Sequence, residues 1–180
     1  MRWLRKLFSS PSVGSSHQPT QPAPVLQGVT ITRGGKEIEA DEVFAAANSQ
    51  DLPRMLAAAE LQTHPVDRHF LLQNIVGLAY KNRKDPRSRH LCIDYAQLHI
   101  SEFPAIKPHL AKEMGGTLAR VSTFQKLATV FTEDRRFAEA IAVCEQALSF
   151  GLNDGTQSGF EGRITRIRKI SENKPPHPTA

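Results

Sequence analysis

The chain has 180 residues, 39% of them apolar and 23% charged, a mix that suits one ordinary folded domain and excludes fibrous or wholly disordered classes. No apolar run approaches the ~18 residues of a membrane span, and two cysteines 52 residues apart, Cys92 and Cys144, make neither a disulfide framework nor a thiolate zinc cluster. The net charge of +5 sits at the ends: residues 1–24 hold Arg2, Arg5 and Lys6 without an acid, and residues 159–174 hold five bases against two acids. The body between carries 15 bases against 16 acids, so a polyanion-binding surface over the whole protein is not expected.

In chain order, MRWLRKLF is a basic amphipathic start. On a helix Trp3, Leu4, Leu7 and Phe8 share one face, and Arg2, Arg5 and Lys6 the other. No signal-peptide core follows it; the start is expected to make weak, reversible contact with an anionic membrane surface. Ser, Pro, Gly and Gln dominate residues 9–24, predicting a flexible linker. Residues 25–40 predict a short β-hairpin: Val29 and Ile31 alternate with Thr30 and Thr32, and Gly34-Gly35 supply the turn. Residues 41–174 predict helices throughout, and residues 175–180 a disordered tail.

Within that helical domain, Asp41 caps a first helix to Ser49, and a second spans Leu52–Gln62 with Pro53 in its first turn. Pro65 opens a third, apolar around most of its circumference, running to Arg83. Asp85-Pro86 starts a fourth that ends at Phe103. A separate fifth helix is expected over 104–114, between Pro104 and Gly115-Gly116. Ser122 with Gln125, and Ser158 with Glu161, have capping-box spacing, and Gly151 ends the helix Arg136–Phe150. The reading is all-α, about eight helices, with no buried sheet.

Phe124-x2-Leu127-Ala128-x2-Phe131, followed by Ala140-x3-Cys144-x2-Ala147, resembles the tetratricopeptide repeat. Val76-Gly77-x2-Tyr80 with Cys92-x3-Ala96 and Pro104 resembles a second, degenerate copy, 51 residues away from Tyr80 to Phe131 rather than the family's ~34. The stretch GLNDGTQSGFEGRITRIRK resembles the ending of a group of bacterial proteins with tetratricopeptide-like folds and no assigned function. The resemblance implies antiparallel helix pairs in series, small residues at 128 and 140 where paired helices approach, and a cytoplasmic protein-interaction role. It also implies a groove lined by Asn74, Lys81 and Asn82 on one first helix and Thr129 and Glu133 on another.

Other constellations are weighed against simpler roles. Leu152-Asn153-Asp154-Gly155-Thr156 has Leu152 where a phosphatase loop of the DxDGT kind needs its nucleophilic carboxylate, so that chemistry is rejected. Gly155, Thr156, Ser158 and Gly159, with Arg163 a turn later, could cradle an anion, but turning and capping account for them more simply. Among the histidines, His90 and Asp94 share a helix face as a surface ion pair rather than a metal site. Cys92 and Cys144 read as buried inert thiols. No GxSxG, P-loop or GxGxxG occurs, so no enzyme, cofactor or metal is predicted. The alternative function is nucleic-acid association. It would use Arg83, Lys84, Arg87 and Arg89 beside Lys81 on the basic turn, and Arg163 and Arg166 with Arg168 and Lys169 on the last helix.

Overall fold

The computed structural model describes residues 19, 21–116, 118 and 120–173. The amphipathic start 1–8, most of the expected linker and the tail 175–180 lie outside the described residues. Eleven elements occur in the described chain. Strands β1 (Gln21–Pro22), β2 (Val25–Arg33) and β3 (Lys36–Asp41) lead into helices α1 (Glu42–Ser49) and α2 (Leu52–Ala58). A short strand β4 (Leu61–Gln62) precedes α3 (Pro65–Lys81), α4 (Pro86–Glu113), α5 (Ser122–Glu133), α6 (Phe137–Ser149) and α7 (Gly159–Asn173). The protein is mostly helical, and none of the described helices is long and apolar enough to cross a membrane.

The hairpin forms where the glycine pair predicts it. β2 and β3 are antiparallel with Arg33 opposite Lys36 and Ile31 opposite Ile38. Gly34 and Gly35 both take positive φ, +57° and +81°, as a two-residue turn of the right twist demands. One face carries Ile31, Ile38 and the fully buried Ala40 onto the helices. At the tip, Arg33 Nε reaches Asp67 Oδ2 on α3 at 3.1 Å, its Nη1 lies 3.6 Å from Glu113 Oε1 on α4, and the Gly34 amide donates to Glu113 Oε2. The hairpin tip therefore clamps the start of α3 to the end of α4. Gln21–Pro22, in the segment read as linker, pairs in parallel with Leu61–Gln62.

Seven helices are described instead of eight, because the expected break before 104–114 does not occur: α4 runs unbroken through Pro104 and Pro108. Each proline removes one intrahelical donor, to the carbonyls of Ile100 and Pro104. Packing overrides that cost, since Ile100, Phe103, Ile106 and Leu110 are all buried around the two prolines. Phe103 alone sits edge-on to Phe124 and Phe150 at centroid distances of 5.6 and 5.2 Å. The second helix is shorter than expected, stopping at Ala58 so that Leu61–Gln62 can pair with the N-terminal strand.

Caps explain most of the other ends. Asp41 accepts from the Phe44 amide at 2.9 Å, and Asp85 from the Ser88 amide at 2.8 Å. After α6, Gly151 at φ +73° permits the Leu152 amide to reach Ala147 O at 3.0 Å, closing the helix. The capping box expected at Ser122 does not form. Val121 is the cap residue and its side chain offers no acceptor to the first amides, and Ser122 is already the first helical residue. Its amide is satisfied from another helix, by Gln73 Oε1 at 3.0 Å.

Two apolar cores share α3. Val43, Ala46, Ala47, Met55 and Ala58 from α1 and α2 pack with Leu71 and Ile75. Val76 and Ala79, on the other side of α3, join a larger cluster drawn from α4 through α7. α3 pairs with α4, α5 packs against both of them and against α6, and α6 against α7.

Candidate functional site

The basic turn between α3 and α4 is largely consumed internally. Arg83 Nη2 lies 3.0 Å from Glu133 Oε1, and Arg89 lies 3.1 Å from Glu133 Oε2 and 2.7 Å from Asp134 Oδ1. The Arg83 guanidinium also stacks 4.1 Å from the Tyr80 ring, and Arg89 donates to Val130 O at 3.1 Å. Partial burial pushes the Glu133 carboxyl up, but the two arginines outweigh it and hold it below the usual range. These pairs stitch the α3–α4 turn to the α5–α6 turn, leaving Lys84 and Arg87 exposed. Glu133, expected in a groove, belongs to this stitch.

The loop before α7 turns out to hold its own anion. Asp154 is 1% exposed and accepts from the Thr156 amide at 3.0 Å and hydroxyl at 2.6 Å. Arg163 reaches Asp154 Oδ2 at 3.0 Å and donates to Thr129 Oγ1 at 3.3 Å. Burial would raise the Asp154 carboxyl, and the Thr156 and Arg163 hydrogen bonds bring it below its ordinary value. The anion cradle suggested by Gly155, Thr156 and Arg163 is thus filled from within the chain. Ser158 Oγ accepts from Arg166 at 2.9 Å.

Thr129, placed in the groove by the repeat resemblance, is engaged by Arg163 and by its own bond to Gln125 O at 2.9 Å. Asn74 turns the other way and donates to Ala47 O at 2.9 Å, fastening α3 to α1. Lys81 and Asn82 are exposed at the end of α3. His90 and Asp94 are both exposed, with no ion pair between them. Burial pushes the Cys92 thiol up to about 11 and the Cys144 thiol to about 12, so neither is a nucleophile at neutral pH. Among the described residues no group of three His, Cys, Asp or Glu could hold a metal ion.

Sequence reasoning passed over two features. The first is a buried polar chain: His69 Nδ1 lies 2.9 Å from His99 Nε2, and His99 Nδ1 lies 2.8 Å from Thr123 Oγ1. Both rings are 1% exposed. Burial drives His69 down to about 4 and His99 well below its ordinary value, so both are neutral at pH 7 and share one relay of hydrogen bonds. It links α3, α4 and α5. The signal available in the sequence was the run Asp67-Arg68-His69, all three buried on α3, each with a partner on another element.

The second is Lys126. This half-buried side chain donates to Ser122 Oγ at 2.8 Å and lies along α3 at Gly77, where a Cβ would stand 3.5 Å from its ammonium. Burial lowers its pKa; the Cys92 thiol works against this, and the cations Arg120 and Lys81 add to it. No carboxylate among the described residues pairs with it. A cleft of about 380 Å³ lies elsewhere, between Pro19, Gln62, Pro65 and α4. Its charged groups, Arg68 and Glu102, satisfy each other through two 2.8 Å bonds.

Compared with known proteins, the chain matches no protein-family model, no curated protein and no solved structure.

Proposed function

We propose that the chain is a cytoplasmic protein-interaction module, built as a tetratricopeptide-like array, that binds an extended peptide segment or a partner helix. The carrying observation is the position of α5, which packs on both α3 and α4. In this reading α3–α4 and α5–α6 are successive pairs, α7 covers the end, and first helices α3 and α5 lie side by side. The repeat residues fit: Phe124, Leu127, Ala128 and Phe131 on α5, with Ala140, Cys144 and Ala147 on α6, are all buried. Alanines at 128 and 140, both 0% exposed, let these helices approach closely.

The binding face in this reading is the outer stripe of α3 and α5. Phe70, Gln73, Gly77 and Lys81 follow helical spacing on α3, between the side that holds α1 and the side that holds Val76 and Ala79. Ser122, Gln125 and Lys126 continue it on α5. Unpaired, buried thiols suit a reducing compartment.

Random-peptide display against the full chain tests the reading. Selected peptides should bind the native chain and lose binding to a Gly77→Arg, Lys81→Glu double variant, which fills and recharges the face. A Lys36→Glu control on the hairpin should bind as the native chain does. Equal binding to all three would place the interface elsewhere.

A further inference from the structure

We propose that the α3–α5 face takes an acidic polypeptide segment, with one carboxylate seated on Lys126 between Lys81 and Arg120. The inference rests on the interaction-module reading and names the chemistry of its partner. Elsewhere the sheltered arginines among the described residues each have a carboxylate partner. Arg33 has Asp67 and Glu113, Arg68 has Glu102, Arg89 has Glu133 and Asp134, and Arg163 has Asp154. Lys126 has no such partner, nor the aromatic ring that partly buried Lys107 has in Phe150. It is half-buried, bonded only to a hydroxyl in the geometry described, and the charges of Lys81 and Arg120 disfavour its ammonium further.

A sheltered ammonium without a counter-ion is costly, and a carboxylate brought to it recovers attraction that water no longer screens fully. The neighbourhood is shaped for such a group. Gly77 leaves the side of α3 open beside the ammonium, and Ser122 Oγ holds the lysine in place. Lys81 is exposed one helical turn beyond Gly77, and Arg120 is exposed beside the start of α5, where it donates to Gln125 Oε1 and its guanidinium lies against Gly155. The one acid whose charge would favour the ammonium is the Cys92 thiol, and burial keeps that thiol protonated; no Asp or Glu among the described residues forms an ion pair with Lys126. Polypeptide is favoured over nucleic acid because Arg83, Arg89 and Arg163, which would extend a phosphate track, are spent on carboxylates of the chain itself.

Fluorescence anisotropy of the full chain with a labelled twelve-residue peptide of alternating Glu and Ala tests this, against the same peptide with Gln for Glu and a single-stranded oligonucleotide of equal charge. The Glu peptide should bind, weaken with salt, and bind about tenfold more weakly to Lys126→Met and to Lys81→Gln, as loss of one charged hydrogen bond predicts. Lys36→Gln should bind like the native chain. The Lys126 Cε resonance should titrate below the ordinary lysine value in the free protein and rise when the Glu peptide is added. Equal binding of Glu and Gln peptides, an unmoved Lys126 titration, or native-like affinity of folded Lys126→Met overturns the acidic partner. Tighter oligonucleotide binding overturns it in favour of nucleic acid. In each case display-selected peptides that still require residues 77 and 81 would keep the interaction reading standing. Failure of those peptides as well would remove both.

Discussion

At the scale of single residues, the most consequential groups are polar ones placed where apolar ones are usual. His69 and His99 are neutral because burial penalises the imidazolium, and each supplies the other's hydrogen bond. Their folded pKa values lie below the unfolded value of about 6.5. An unfolded chain therefore binds protons that the folded chain refuses as pH falls. The stability involved is complete above about pH 6.5 and is lost progressively towards pH 4, about 3 kcal/mol for His69 alone. Urea denaturation at pH 7.5, 6 and 4.5 should show this decline. A His99→Phe variant should be less stable at pH 7.5, with the His69 and Thr123 partners orphaned, and should show a flatter pH dependence. An equally steep decline in His99→Phe would assign the acid sensitivity to other groups.

Between elements, the tight crossings decide stability. Ala128 and Ala140 have no exposed surface, and a large ring at either must push α5 and α6 apart. Ala128→Trp and Ala140→Trp should each destabilise by about 3 kcal/mol, lowering the thermal midpoint by several degrees. Pro104 and Pro108 make the opposite case. Their helix persists because neighbours at 100, 103, 106 and 110 bury apolar side chains on both sides of each proline. Replacing Pro104 by Ala should restore a donor to the Ile100 carbonyl and raise the thermal midpoint. A lower midpoint would mean that the helix had adjusted its packing to the proline ring.

Across the whole molecule, the hairpin is joined to the helices by few but sheltered contacts. Asp67 is 3% exposed, and Arg33 is its ion-pair partner at the hairpin tip. Arg33→Ala should cost about 3 kcal/mol by leaving Asp67 buried without its partner, and Asp67→Leu combined with Arg33→Leu should recover most of that loss. A double-mutant cycle on denaturation midpoints measures the coupling. An uncoupled cycle would show that the hairpin rests on its apolar face, through Ile31, Ile38 and Ala40. The stitch of Arg83 and Arg89 to Glu133 and Asp134 acts at the same scale, joining two helix turns that are 50 residues apart in the chain.

The helical class, the hairpin with its Gly34-Gly35 turn, the caps at Asp41 and Asp85 and the close at Gly151 were legible from the sequence. Each depends on residues within a few positions of one another: a glycine pair free to take positive φ, a carboxylate beside an unsatisfied amide, an apolar period of a helix. Long-range geometry decided the rest. Pro104 looks like a boundary until Phe103 is seen packed against Phe124 and Phe150, and Ser122 looks like a cap until Gln73 reaches its amide from another helix. The basic residues show it most clearly. Composition counts Arg83, Arg89, Arg163 and Lys126 alike as positive charges, but whether such a charge is available depends on what stands within a few ångströms of it. Folding brought carboxylates to the three arginines and further cations to the lysine.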